Sequence, residues 1–204
     1  MTRFHSVAVL SACLLLPASM ALAQAANRDP AKVEAGTYTL DPDHTQVEFG
    51  VMHLGFTPYY GRFSDASGKL VLSPHNPAES KLEVTIPAAS ISTTSDKLTG
   101  ELKGADWLDA QKFPDITFRS TQVTPSGAGT AKVTGNLTLH GVTRPVTLDV
   151  KLVGSGTNPL DKHYTVGFSA TGQISRSEFG VTKYVPLIGD ELKLTLSGAF
   201  EQQS

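Results

Sequence analysis

Cysteine is all but missing from the 204 residues: Cys13 is the sole example and lies within the first apolar stretch. One such residue builds no disulfide framework and no cysteine metal centre. An excess of charge of one sign is missing too. Lys and Arg total 17 against 19 Asp and Glu, a net charge of −2, and no basic run interrupts the balance. That argues against nucleic acid as a partner. Beyond residue 23 no apolar run approaches the ~18 residues of a membrane-crossing helix. Motifs of catalysis are absent in turn, with no Gly-x-Ser-x-Gly, no Walker loop and no His-Glu-x-x-His. His44, His53, His75, His140 and His163 show no metal-ligand spacing, so no metal ion and no resident cofactor are expected.

What is present begins with a leader. Arg3 gives a positive start, Ser6 to Leu16 is a short apolar run, and Ala21-Leu22-Ala23 offers the small residues that signal peptidase requires. Residues 1–23 therefore read as a signal peptide, and the mature protein as periplasmic. Leu10-Ser11-Ala12-Cys13 looks like a lipoprotein box, but a cut there would leave too short an apolar segment before it. Cleavage after Ala23 also removes Cys13. Roughly 180 residues remain, enough for one domain with a sizeable core. Residues 24–35, small and polar, read as a flexible lead-in, and 36–204 as the folded domain.

That domain is dominated by alternation. Val133, Leu137 and Leu139 share one parity with Gly135, opposite Thr134, Asn136, Thr138 and His140. After Gly141 the pattern resumes, with Val146, Leu148, Val150 and Leu152 against Thr147, Asp149 and Lys151. Period two predicts two strands, the Gly-containing break predicts a hairpin, and Pro145 must lie at a strand start or an edge. A lone hairpin is not stable, so its apolar face needs more strands. Val47-Phe49-Val51, Leu82-Val84-Ile86, Ile116-Phe118, Val166-Phe168-Ala170-Ile174 and Leu192-Leu194-Leu196-Phe200 supply them. Asp41-Pro42-Asp43 predicts a turn. Residues 61–73 predict one strand with a bulge near Ser67-Gly68, because the phase slips between Phe63 and Leu70. The period changes once: Ser95 can cap a helix, and Leu98, Leu102 and Ala105 predict an amphipathic helix over 96–108. Such a series is all-β, and an eight-stranded antiparallel barrel with one helix is favoured because closure removes the edges.

An eight-stranded barrel is just wide enough to be packed solid or to hold one ligand. The candidate lumen residues are Val47, Phe49, Val51, Phe63, Leu82, Val84, Ile86, Phe118, Leu137, Leu139, Phe168, Ile174, Leu194 and Leu196. Gly135, Ala170, Gly172 and Gly198 leave space beside them that bulky neighbours fill or a ligand occupies. Strands of about nine residues make a tube roughly 30 Å long, which suits a long, thin, apolar molecule. Arg176 follows Ile174 by two residues, and the shared parity aims it inward, toward either a carboxylate of the barrel or an anionic ligand head. His44 serves as a hydrogen bonder of the Asp41-Pro42-Asp43 corner or as a base. His140 faces solvent at its hairpin turn.

These residues resemble a known family. Asp41-Pro42-Asp43-His44-Thr45 leading into Val47 to His53, with Gly61-Arg62-Phe63 after it, looks like the opening of YceI-like proteins. Leu102 to Asp109 with Phe113 to Phe118 is similar to their helix-to-strand segment. Gly135 to Thr143 resembles their most recognisable hairpin, and Ser175 to Gly180 their Arg-x-x-Phe-Gly element. Two positions depart: the family often has two aromatics at Trp107-Leu108 and a serine at Thr45. The resemblance implies a lipocalin-like barrel enclosing an apolar tunnel. It also implies a periplasmic carrier of polyisoprenoids, isoprenoid quinones or fatty-acid derivatives, without catalysis.

The leading expectation is thus a binding module for an isoprenoid or other long-chain lipid, with His44 and Arg176 near the head group. It is not an enzyme, does not span a membrane, and leaves a homodimer open. The alternatives are an enzyme using His44 and Arg176 on an apolar substrate, a fatty-acid or amide binder, and an outer-membrane barrel.

Overall fold

The structure, a computed structural model, describes residues 26–203; the expected signal peptide and Cys13 lie outside the described residues. Nine strands follow one another: β1 (Gly36–His53), β2 (Thr57–Phe63), β3 (Ser67–Leu72), β4 (Lys81–Pro87), β5 (Asp115–Gly127), β6 (Thr130–Leu139), β7 (Val142–Thr157), β8 (Tyr164–Ser175) and β9 (Ile188–Gln202). Helix α1 (Asp96–Leu102) sits between β4 and β5. All pairings are antiparallel, and β1 also pairs with β9, so β1 and β3 to β9 close an eight-stranded ring. The ninth strand, β2, lies on the second half of β1, where β3 has already left it. Its other edge is met by Ser92, bonded to Arg62 through both backbone groups. Closure of this kind leaves few unpaired strand groups.

Register carries the apolar parity around the ring. Val84 faces Phe118 and Phe118 faces Leu137. Val150 faces Ala170, Ala170 faces Leu196 and Leu196 faces Val47. Two bulges switch the phase so that both halves of a long strand point inward. In β1 the residues Pro42 to Thr45 stand against Gly198 alone, so Tyr38 and Leu40 face the interior before the corner and Val47, Phe49 and Val51 after it. In β5 the extra Thr121 does the same for Phe118 and Val123. The expected Asp41-Pro42-Asp43 turn is this first bulge. The opposite parity carries Glu48, Lys69, Glu83, Arg119, Lys132, Lys151 and Lys193 to the outer face, the reverse of the apolar band of a transmembrane barrel. No helix among the described residues is long and apolar enough to cross a membrane.

Four expectations are corrected. Residues 61–73 are two strands, because Asp65 takes a left-handed conformation (φ 58°) and breaks the ladder just before the proposed bulge. The helix ends at Leu102, not 108. Gly104 follows within one turn, Asp109 is left-handed, and the intervening turns bring Leu108 into the core. Residues 26–35 are docked rather than loose: Asn27 pairs with Ser155, Pro30–Lys32 form a 3-10 turn, and Val33 is buried. Tyr38 anchors them, its hydroxyl donating to the Glu34 carbonyl at 2.7 Å. Burial, with Tyr164 and Glu34 nearby, pushes the Tyr38 phenol up to about 12. The 133–152 hairpin forms as expected, on a two-residue turn with His140 and Gly141 both at positive φ. Pro145 lies in the part of β7 that precedes its pairing with β8. His140 does not face solvent. Its ring stands edge-on to Phe113 at 4.8 Å, and its Nδ1 donates to the Phe179 carbonyl at 3.2 Å.

Candidate functional site

The inward side chains do not fill the ring. A cavity of about 630 Å³ runs through it, within the 300–1,000 Å³ range of small-molecule sites. All fourteen candidate lumen residues lie in its wall: Val47, Phe49, Val51, Phe63, Leu82, Val84, Ile86, Phe118, Leu137, Leu139, Phe168, Ile174, Leu194 and Leu196. Val150, Leu152 and Leu192 join them from the same alternation. Polar wall groups lie at the ends and also midway, where Gln46, Ser197 and Ser169 are register neighbours on β1, β9 and β8. Exposed residues line it at both ends, with His53, Glu101 and Tyr184 beside the helix and Lys81, Pro125 and Gly127 at the far end. The cavity is therefore a channel.

Two of the barrel's glycines add no space to it, because aromatic rings already cover them. A Cβ on Gly135 would stand 2.4 Å from the Phe118 ring and 2.6 Å from the Arg119 carbonyl, and one on Gly61 would stand 2.4 Å from the Phe49 ring. Glycine there lets an aromatic ring lie flat on the neighbouring strand. Small residues do line the channel elsewhere, with Ala131, Ala170 and Gly198 in its wall.

The two ends differ in construction. At one, Pro30 and Val33 of the docked segment 26–35 contribute to the wall. At the other, α1 lies across the ring, its first turn capped by the Ser95 hydroxyl accepting from Leu98 N at 3.3 Å. Leu98 and Leu102 of this helix, with Trp107 and Tyr184, complete the wall there. These residues come from connections whose spacing carries no strand period; only the helical repeat of Leu98 and Leu102 announced any of them.

Arg176 sits at this helix end, 3% exposed, in the wall of the channel. Its partners are neither a carboxylate nor an open lumen. Nε donates to Gly189 O at 2.9 Å, Nη1 to Val181 O at 2.8 Å and Nη2 to Ile188 O at 2.9 Å. The guanidinium carbon also lies 5.6 Å from the centre of the Trp107 ring. Burial lowers the Arg176 pKa, and the nearby Asp190 charge works against that shift. Asp190 itself accepts from Ser177 N at 2.8 Å and Ser177 Oγ at 2.7 Å. The side chain thus fastens the β8–β9 connection over the mouth.

His44 is elsewhere. It lies on the β1 corner, 75% exposed and outside the channel wall, with Nδ1 2.6 Å from Asp41 Oδ2. That hydrogen bond, and then the charge of Asp41, raises the His44 pKa. The corner is level with Gly198 and Arg176 with the start of β9, about eight residues apart along one strand and hence roughly 25 Å. The pairing that the enzyme alternative needs is not made. Asp161, His163 and Glu201 hold ligand-type atoms within 4.8 Å of one another, but on the exposed β7–β8 loop and the adjoining end of β9.

Comparison with known proteins places this barrel. The family model described as YceI-like domain matches residues 38–200. A UPF0312 protein of Yersinia pestis is 39% identical over 165 residues, 80% of this chain and 85% of that protein. A UPF0312 protein of Serratia proteamaculans is 38% identical over the same length. Among solved structures, BcnA of Burkholderia cenocepacia superposes with a TM-score of 0.71 at 26% identity, over 78% of this chain and 98% of that one. The YceI protein of Campylobacter jejuni gives 0.67 at 29%, over 75% and 90%. A polyisoprenoid binding domain from Saccharophagus degradans shares the fold, with a TM-score of 0.59 at 14% identity over 83% and 100%. The chain belongs to the YceI-like family.

Proposed function

We propose that this protein binds a long apolar isoprenoid-type lipid, a polyisoprenoid or an isoprenoid quinone, and carries or sequesters it in the periplasm. One observation carries the reading: a continuous channel of about 630 Å³ whose wall is apolar side chains from every strand of the ring. Apolar burial gains about 0.8 kcal/mol per methylene, so each five-carbon unit contributes roughly 4 kcal/mol before the fixed cost of association. That cost is about 4–15 kcal/mol, so a chain of three or four units binds without strong polar contacts. The fold shared with the Saccharophagus polyisoprenoid binding domain supports the same class of ligand. The reading includes export of the chain by its leader and no catalytic step.

Native mass spectrometry of protein purified from the periplasm in mild detergent tests it. A co-purifying isoprenoid lipid is expected, as is binding of added long-chain ubiquinone. Ala170→Phe, which places a ring in the channel wall, is expected to weaken that binding at least about tenfold. A protein that carries no lipid and binds neither quinone nor prenol overturns the proposal, and selective binding of a fatty acid reassigns the ligand.

A further inference from the structure

At the helix end of the barrel two neighbouring turns expose apolar side chains that the fold does not require. In the β1–β2 turn Phe56 N donates to His53 O at 3.0 Å, and Leu54 and Gly55 both have positive φ (52° and 74°). Turns of this form favour Asn, Asp or Gly at the first of these positions, where an apolar Leu is strained. Phe56, next in the chain, is 83% exposed. Leu54 N donates in turn to Leu187 O at 3.0 Å, which ties this turn to the β8–β9 connection. Leu187 is 65% exposed, and the exposed Tyr184 repeats the left-handed conformation (φ 61°). The rim is continuous with the channel: His53 and Tyr184 line the wall, and Trp107 stands edge-on to Tyr184 at 6.1 Å.

We propose that this rim docks on a lipid surface, with Leu54, Phe56 and Leu187 inserted among the acyl chains and the channel mouth held against the membrane. The inference rests on the lipid-carrier reading, since it supplies the route by which an apolar cargo passes from bilayer to channel without crossing water. The shape favours a membrane over a second protein. The side chains sit on turn tips, not around a groove, and three tips are too few for the roughly 800 Å² per partner of a stable protein interface. Insertion into an interface, by contrast, scales with buried apolar area alone. The adjacent cation, Lys183, is already paired with Asp106. Docking is therefore apolar and little dependent on lipid charge.

Flotation with vesicles of phosphatidylcholine, and of phosphatidylethanolamine with phosphatidylglycerol, tests this on the full mature chain. Both are expected to bind it, and brominated acyl chains to quench Trp107, the sole tryptophan. The double variant Phe56→Ser/Leu187→Ser is expected to lose at least about tenfold in vesicle binding while its thermal unfolding and its quinone binding in detergent stay unchanged. Leu160→Ser, 90% exposed but on the β7–β8 loop at the opposite end, is expected to change nothing. Absence of vesicle binding, binding confined to anionic vesicles and removed by salt, or an equal loss in Leu160→Ser overturns the proposal. So does a dimer that only the double variant abolishes. If quinone binding in detergent persists while vesicle binding fails, docking alone is wrong; if both fail, the carrier reading falls with it.

Discussion

A buried guanidinium without a carboxylate against it is unfavourable unless other acceptors replace water, and three backbone carbonyls do so for Arg176. They are Val181 of the β8–β9 connection and Ile188 and Gly189 at the start of β9, so the residue's main effect is to hold both ends of that segment in one conformation. Arg176→Leu strands all three acceptors and is expected to cost about 3 kcal/mol or more, read as a lowered urea midpoint. Arg176→Lys recovers one acceptor at best, because an ammonium lacks the planar fork. His44 acts on a smaller scale. Its pKa is raised above the ordinary 6.5 by Asp41, so its stabilisation is complete below that value and is lost as pH rises through the higher folded value. Proton NMR should find the elevated titration in the intact protein and a return toward 6.5 in Asp41→Asn. A His44 that titrates normally beside an intact Asp41 removes the corner hydrogen bond from the account.

At the scale of strands, glycine and aromatic ring act as pairs across neighbours. The three atoms nearest a Cβ at Gly61 all belong to the Phe49 ring, so Gly61→Ala is expected to cost about 1–3 kcal/mol and Phe49→Leu to relieve much of that penalty in the double variant. Additive losses in urea denaturation would show that the two do not share the space. Legibility of the fold divides along similar lines. Where alternation was uninterrupted, as in Leu82-Val84-Ile86 or Leu192-Leu194-Leu196, both the strand and its inner face could be read directly. The breaks could not, since the left-handed backbone at Asp65 and Asp109 depends on tertiary contacts and not on an apolar period. Residues 26–35 looked loose because their anchor, Tyr38, lies beyond them, and burial of one valine leaves no pattern. Parity aimed Arg176 inward, and the structure buries it in the channel wall on the 3-10 turn that follows β8. Its carbonyl partners, and the Trp107 ring against it, come from loops distant in sequence and had no signal to offer.

For the whole molecule the channel couples binding to stability. A ligand at a hundredfold excess over its dissociation constant adds about 2.7 kcal/mol, which for a domain of this size raises the melting temperature by roughly 5–10 °C. Long-chain ubiquinone should produce that shift in the wild type and little of it in Ala170→Phe; equal shifts in both would move the ligand outside the channel. The ring is joined by β1 and β9, and just past the end of β9 the Gln203 amide donates to the Thr39 hydroxyl, 164 positions away in the chain. Pairing at such separation is slow, because the loop between must be ordered first. The enclosed volume does not exist until this seam has zipped; before then the same residues form an open apolar trough. A lipid present at that moment is wrapped by the closing wall, whereas one that arrives later must enter by the rim. On the proposed carrier reading, protein refolded with quinone and protein exposed to it after folding share one affinity but reach it along different routes, and folding history becomes a second way of filling the channel.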